Sequence, residues 1–150
     1  MDAIQLLKAD HDKVKKLLNE GDATTERAEK TRTELLATLK QELTVHEEIE
    51  ETIFYPALKE HPKAKEIVNE AYEEHNVVDS VMSELEATDV TDERWAAKFT
   101  VMKENIEHHI EEEEGEMFKQ ARSVFDAAEL QALGDRMAAR KAELTGTAVS

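Results

Sequence analysis

Cysteine is absent from this 150-residue chain, which rules out disulfides and thiolate metal sites. Glycine occurs four times and proline twice, and aromatic residues make up 5%. That is too little turn-forming, β-branched and aromatic material for a sheet protein. No stretch approaches the ~18 consecutive apolar residues of a membrane span. The start carries an acid at Asp2 and no long apolar run, so it does not read as a secretory leader.

Alanine, leucine, glutamate and lysine dominate instead. Charged residues make up 36% of the chain and the formal net charge is −16. The composition predicts an all-α protein, and the length suits one domain with a core of its own. An acidic surface repels nucleic acid and anionic lipid, so neither is expected as a partner. A soluble, cytoplasmic, monomeric or weakly dimeric protein is the expectation.

Helix signals divide the chain. Asp2 with Gln5 reads as a capping box, and Gly21 is expected to end the first helix near residue 20. Thr24 or Thr25 is expected to cap a second helix that runs to about Pro56. Pro62 suits the first turn of a third, reaching about Leu85. Thr91 is expected to cap a fourth, ending near Ala121. Asp126 with Glu129 opens a short fifth helix to about Leu144, with a frayed tail from Thr145 to Ser150. Residues 1–122 are thus expected to form an up-down-up-down four-helix bundle, and residues 123–150 a C-terminal helix packed on it and a tail.

Each long helix shows one inward stripe at spacings of three and four. The stripes are Ile4, Leu7, His11, Val14, Leu18; Leu35, Leu39, Leu43, His46, Glu50, Ile53, Ala57; Val68, Ala71, His75, Val78, Met82, Leu85; and Trp95, Phe99, Met102, Ile106, His109, Glu113, Met117. Every stripe carries one histidine near its middle, and two also carry a glutamate. A hydrophobic core has no use for either.

The chain also contains one helical hairpin twice. The segment beginning His11 aligns with that beginning His75, and His46-Glu-Glu-Ile-Glu50 aligns with His109-Ile-Glu-Glu-Glu113, at offsets of 64 and 63 residues. Two such hairpins about a pseudo-twofold axis would bring two equivalent ligand sets to one point. In HxxxE the imidazole and carboxylate lie one turn apart on the same helix face. Without sulfur, such a set suits iron, manganese or zinc. With 35 acidic residues in 150, one HxxxE is a weak signal. The conjunction is stronger: buried carboxylates and imidazoles at one level of a core need a cation. His108 with Glu112 falls about 100° off the fourth stripe, and His61 reads as a surface histidine.

Ferritin-like di-iron bundles use Glu-x-x-His. Three residues before the six histidines stand Lys8, Leu43, Leu58, Tyr72, Asn105 and Ile106, so that pattern is absent. Over roughly residues 3–122 the chain instead resembles the hemerythrin HHE cation-binding family. The stretches LLKADHDKVKKLL, HEEIEETIFYPAL, EEHNVVDSV and HHIEEEEGEMF carry the likeness. The resemblance implies His11, His46, Glu50, His75, His109 and Glu113 as ligands of two iron ions, oxo- or hydroxo-bridged.

One departure matters. Oxygen-carrying hemerythrins place two histidines one turn apart on the third helix, whereas here Ala71 and Asp79 flank His75 at those places. Four histidines, two bridging glutamates and one oxygen bridge would fill about ten of twelve octahedral positions. Binding of, or reaction with, a small oxidant (O2, hydrogen peroxide or nitric oxide) is the function implied. A catalase-like peroxide-decomposing enzyme and an iron-handling protein are the alternatives.

Overall fold

In a computed structural model, residues 1–146 are described, and all of their regular structure is helical. Helix α1 spans Ala3–Asp22. Helix α2 runs unbroken through Glu29–Ile49, Glu50–Phe54 and Tyr55–Lys59. A 3₁₀ turn at Pro62–Ala64 leads into α3, Lys65–Glu86. Helix α4 is again one rod in three parts, Glu93–Glu112, Glu113–Met117 and Phe118–Val124. Helix α5 spans Ala127–Thr145 and ends on Gly146, whose φ of 70° is the left-handed geometry a helix stop favours. Of the expected frayed tail, Thr145 closes α5, and residues 147–150 lie outside the described residues.

Helices α1 to α4 form the bundle, and α5 packs along α1 and α2. Capping boxes open α1 (Asp2 with Gln5) and α5 (Asp126 with Glu129), each satisfying two otherwise orphaned N–H groups. Other expected boundaries shift. Gly21 does not stop α1. It is buried in the last turn, where a Cβ would run into the Phe99 ring, so its role is close packing. Neither Thr24 nor Thr25 caps α2, which begins after Ala28. The Thr24 hydroxyl instead donates to Gly21 O and accepts from Arg32 Nε at 2.9 Å. Arg32, buried against the Trp95 face, also donates to Val90 O at 2.8 Å and so ties two connecting loops together. Asp92, not Thr91, caps α4.

Helix α2 passes through Pro56 because of a local widening. The Tyr55 N–H donates to Glu50 O, five residues back, and the Phe118 N–H donates to Glu113 O in the same way. These are π turns, one extra residue in the helix, and each starts at one of the two stripe glutamates. The extra residue moves the apolar pattern along, so Phe54, Tyr55, Leu58 and Phe118 are fully buried.

The core is split in two. One apolar cluster holds Ile4, Leu7, Phe54, Val68, Phe118 and Met137, and the other holds Leu18, Leu39, Leu85, Trp95, Phe99 and Met102. Between them in the helix sequences lies a layer of buried polar groups: His11, His46, Glu50, His75, His109 and Glu113.

Candidate metal centre

The six stripe residues meet inside the bundle. His11 Nε2 is 3.0 Å from Glu113 Oε1, and His109 Nε2 is 3.2 Å from Glu113 Oε2. His46 Nε2 and His75 Nε2 each lie 3.1 Å from Glu50 Oε1. Both carboxylates therefore reach histidines of both hairpins. His11 and His46 stand ring to ring at 5.0 Å and 63°, while His75 and His109 stand at 4.9 Å and 62°. The sequence repeat is thus a twofold relation in space. His108 is 65% exposed and outside this cluster, Asp79 is exposed, and His61 is partly buried against Phe125.

Each ring is fixed from behind. His11 Nδ1 contacts Glu114 Oε2 at 2.7 Å, His46 Nδ1 contacts Asp10 Oδ2 at 2.9 Å, His75 Nδ1 contacts Glu51 Oε2 at 3.0 Å, and His109 Nδ1 contacts Glu74 Oε1 at 2.8 Å. A carboxylate can only accept, so each Nδ1 directs its proton to the outer acid and each Nε2 faces the centre, the atom a metal ion would take in place of a proton. These four acceptors obey the same twofold. Asp10 and Glu74 precede His11 and His75, and Glu51 and Glu114 follow Glu50 and Glu113. None of the four was named in the sequence analysis. The repeat held the signal, in an acid before each first histidine and an acid after each stripe glutamate.

Tyr55 breaks the symmetry. Its hydroxyl donates to Glu113 Oε2 at 2.6 Å and lies 3.3 Å from His75 Nε2 and 3.5 Å from His109 Nε2. Its counterpart Phe118 stacks on His11 with ring centres 6.1 Å apart and offers no polar atom. The two residues stand nine positions after His46 and His109, so the repeat pairs them, but the phenol was given no role in the sequence analysis.

The electrostatics show what the centre demands. Burial opposes a charge on His46, yet Glu50 and Asp10 overcome it and raise the ring well above its ordinary pKa. Against the same burial, Glu50 raises His75, and Glu113 with Glu74 raises His109 to about 10. Burial would raise Glu113, but its contacts with Glu50, His109 and His11 hold it well below the carboxylate range. Burial, with Glu113 and Glu50, pushes the Tyr55 phenol well up, so it keeps its proton. The centre draws positive charge to itself.

The donor set fits a cation. Both oxygens of Glu50 and Nε2 of His46 are buried without a hydrogen-bond partner. Such orphaned groups each cost about 1–3 kcal/mol, and more when charged. A cation shared between imidazole nitrogens and carboxylate oxygens removes that cost. Two groups are close enough to hold one ion each: His11, His46, Glu50 and Glu113, and Glu50, His75 and His109. Beside them is a pocket of about 20 Å³ walled by Val14, Leu43, Val78, Ile106 and Ile110, room for one water-sized ligand.

A helical bundle with this buried His/Glu cluster is the architecture of a cation-binding protein. The chain belongs to the hemerythrin HHE cation binding domain family, whose pattern it matches over residues 2–121. It is similar to the crystal structure of a hemerythrin HHE cation binding domain-containing protein from Mycobacterium kansasii. That likeness has a TM-score of 0.87 at 31% identity and covers 97% of this chain and 88% of the other. No curated protein matches the sequence. Among the described residues no helix is long and apolar enough to cross a membrane.

Proposed function

We propose that His11, His46, Glu50, His75, His109 and Glu113 hold two iron ions, and that the protein binds or reacts with a small oxidant (O2, hydrogen peroxide or nitric oxide). The observation that carries this reading is the convergence of four inward Nε2 atoms on two carboxylates that each reach both hairpins. Glu50 and Glu113 would be shared between the two ions. His11 and His46 would hold one ion, and His75 and His109 the other. Bound iron would supply the electrons and open coordination positions that such ligands need.

The chain's own residues set the conditions. The outer carboxylates hold each imidazole in its ligating tautomer. The apolar pocket admits a small molecule and excludes bulk water. Tyr55 presents a hydroxyl at the centre, which would turn from Glu113 to donate a hydrogen bond to a ligand on the His75–His109 side. That asymmetry favours peroxide decomposition as the second reading, since a hydrogen bond from one side stabilises the charge that develops as an O–O bond breaks.

Titration of the reduced iron-loaded protein with O2 and nitric oxide, beside oxygen evolution from hydrogen peroxide, tests the proposal. A ligand-dependent spectral change or oxygen evolution, lost in His46→Ala and in Glu113→Ala, is expected. Inertness to all three ligands contradicts it.

A further inference from the structure

The histidine centre is buried, so a ligand needs a way in. Two hollows meet at the seam between α2 and α3. The inner one is the pocket of about 20 Å³ beside the four histidines, and the outer one is a cleft of about 320 Å³ open to solvent. Leu43, Glu47 and Val78 wall both, so a single layer of side chains separates the cleft from the pocket. The hollow between α2 and α5 and the one beside Pro62 share no wall with the pocket. The seam is also thinly packed. Along Glu29–Ile49, α2 meets α3 at few residues, whereas α1 with α2 and α3 with α4 pack far more extensively.

The three shared walls differ in how they can yield. Val78 is β-branched, and in a helix such a side chain keeps one rotamer. Glu47 is tied by a hydrogen bond to Asp79 and lies 4.0 Å from His75 Nδ1. Leu43 has no polar tie and two rotatable side-chain bonds, so it is the wall that moves. The chemistry of the passage selects its traffic. Leu43, Val78 and Met82 give it an apolar lining, while Glu48, Glu51, Asp79 and Glu86 surround the mouth and repel anions.

We propose that small uncharged ligands reach the centre through the seam between α2 and α3, with Leu43 as the gate and Val78 and Glu47 as its fixed posts. A swing of Leu43 joins the cleft to the pocket, and its return shuts the ligand in with the histidines. The route rests on the function proposed above, because the pocket at its end is the ligand position of that centre.

Two readouts test it. Zinc-loaded protein is placed under O2, and the O2-induced relaxation of its methyl protons is measured by nuclear magnetic resonance. Enhancement should be greater at Leu43 and Val78 than at Leu35 and Ile53, which are as little exposed on the same bundle. Separately, nitric oxide and O2 are mixed with reduced iron-loaded protein in a stopped-flow instrument. Val78→Phe narrows the passage, and Ser83→Trp adds bulk to the outer cleft without touching the pocket. Both should slow association roughly tenfold, the effect of about 1.4 kcal/mol added to the barrier, while Ser83→Trp leaves the final spectrum unchanged. Leu43→Ala should speed it. Val101→Trp, on an exposed face that lines neither hollow, should do nothing. Wild-type rates in both Val78→Phe and Ser83→Trp, or no greater relaxation at Leu43 and Val78 than at Leu35 and Ile53, overturns the route. Iron-loaded wild type that is inert to nitric oxide, O2 and peroxide, with the relaxation pattern as expected, overturns the function proposed above and leaves the passage standing.

Discussion

His46 donates through Nδ1 to Asp10 at 2.9 Å, and Asp10 is held in turn by Lys141 of α5. The fifth helix thereby reaches the centre through two contacts, although the family match ends at residue 121. Lys141→Met should leave the fold intact and let a chelator remove iron faster. Asp10→Ala should lower metal affinity by roughly 10–100-fold. Iron retained in a timed chelator challenge measures both.

Tyr55→Phe gives the His75–His109 half the same aromatic environment as its twin. Glu113 loses its 2.6 Å partner, at a cost of about 1–3 kcal/mol in the metal-free protein. Iron content should remain at the wild-type level while the metal-free melting temperature falls by several degrees. Peroxide reactivity should fall with it. Calorimetry with metal analysis separates the structural effect from the chemical one.

Metal-free protein should lose stability as pH rises. Burial, aided by Asp79 and Glu51, raises Glu47 from 4.5 to about 8, so between those values the folded state holds a proton that the unfolded state has released. His109, raised from 6.5 to about 10, acts in the same sense at higher pH. More protons bound in the folded state means that unfolding free energy falls with pH across this range. Asp10 has the opposite sign. Burial would raise it, but His46 and Lys141 hold it below its ordinary value, and the stability it confers is lost as pH falls through the acid range. Melting temperatures from pH 5 to 9 should therefore decline in the metal-free wild type, and decline less in Glu47→Gln.

Gly134 lets α5 approach the start of the chain. A Cβ there would clash with Met1 O and sit 2.6 Å from the Asp2 carbonyl carbon, and backbone cannot swing aside as a side chain can. Gly134→Ala should cost about 1–3 kcal/mol despite alanine's better helix propensity. Thermal unfolding checks the loss, and a simultaneous loosening of iron would show that α5 supports Asp10.

The stripes were legible because burial of one helix face imposes a 3.6-residue period. His11, His46, Glu50, His75, His109 and Glu113 stood out as polar residues on that period. The π turns were not legible, since one extra residue at Glu50 or Glu113 leaves the local pattern plausible while it carries Tyr55 and Phe118 inward. Arg32 was hidden for another reason. Its partners, Thr24 and Val90, lie in loops whose paths follow from helix packing rather than local sequence. Lys141 and Asp10, 131 residues apart, had no shared signal until the fold brought α5 against α1.

The most direct measurement is anaerobic titration of metal-free protein with Fe2+, followed by iron analysis after passage through a desalting column. About two irons per chain should be retained by the wild type, in keeping with a carboxylate-bridged pair in a bundle core, and none or nearly none by His46→Ala and Glu113→Ala. Retention of at most one metal ion by the wild type, unchanged in His46→Ala, would contradict the di-iron centre.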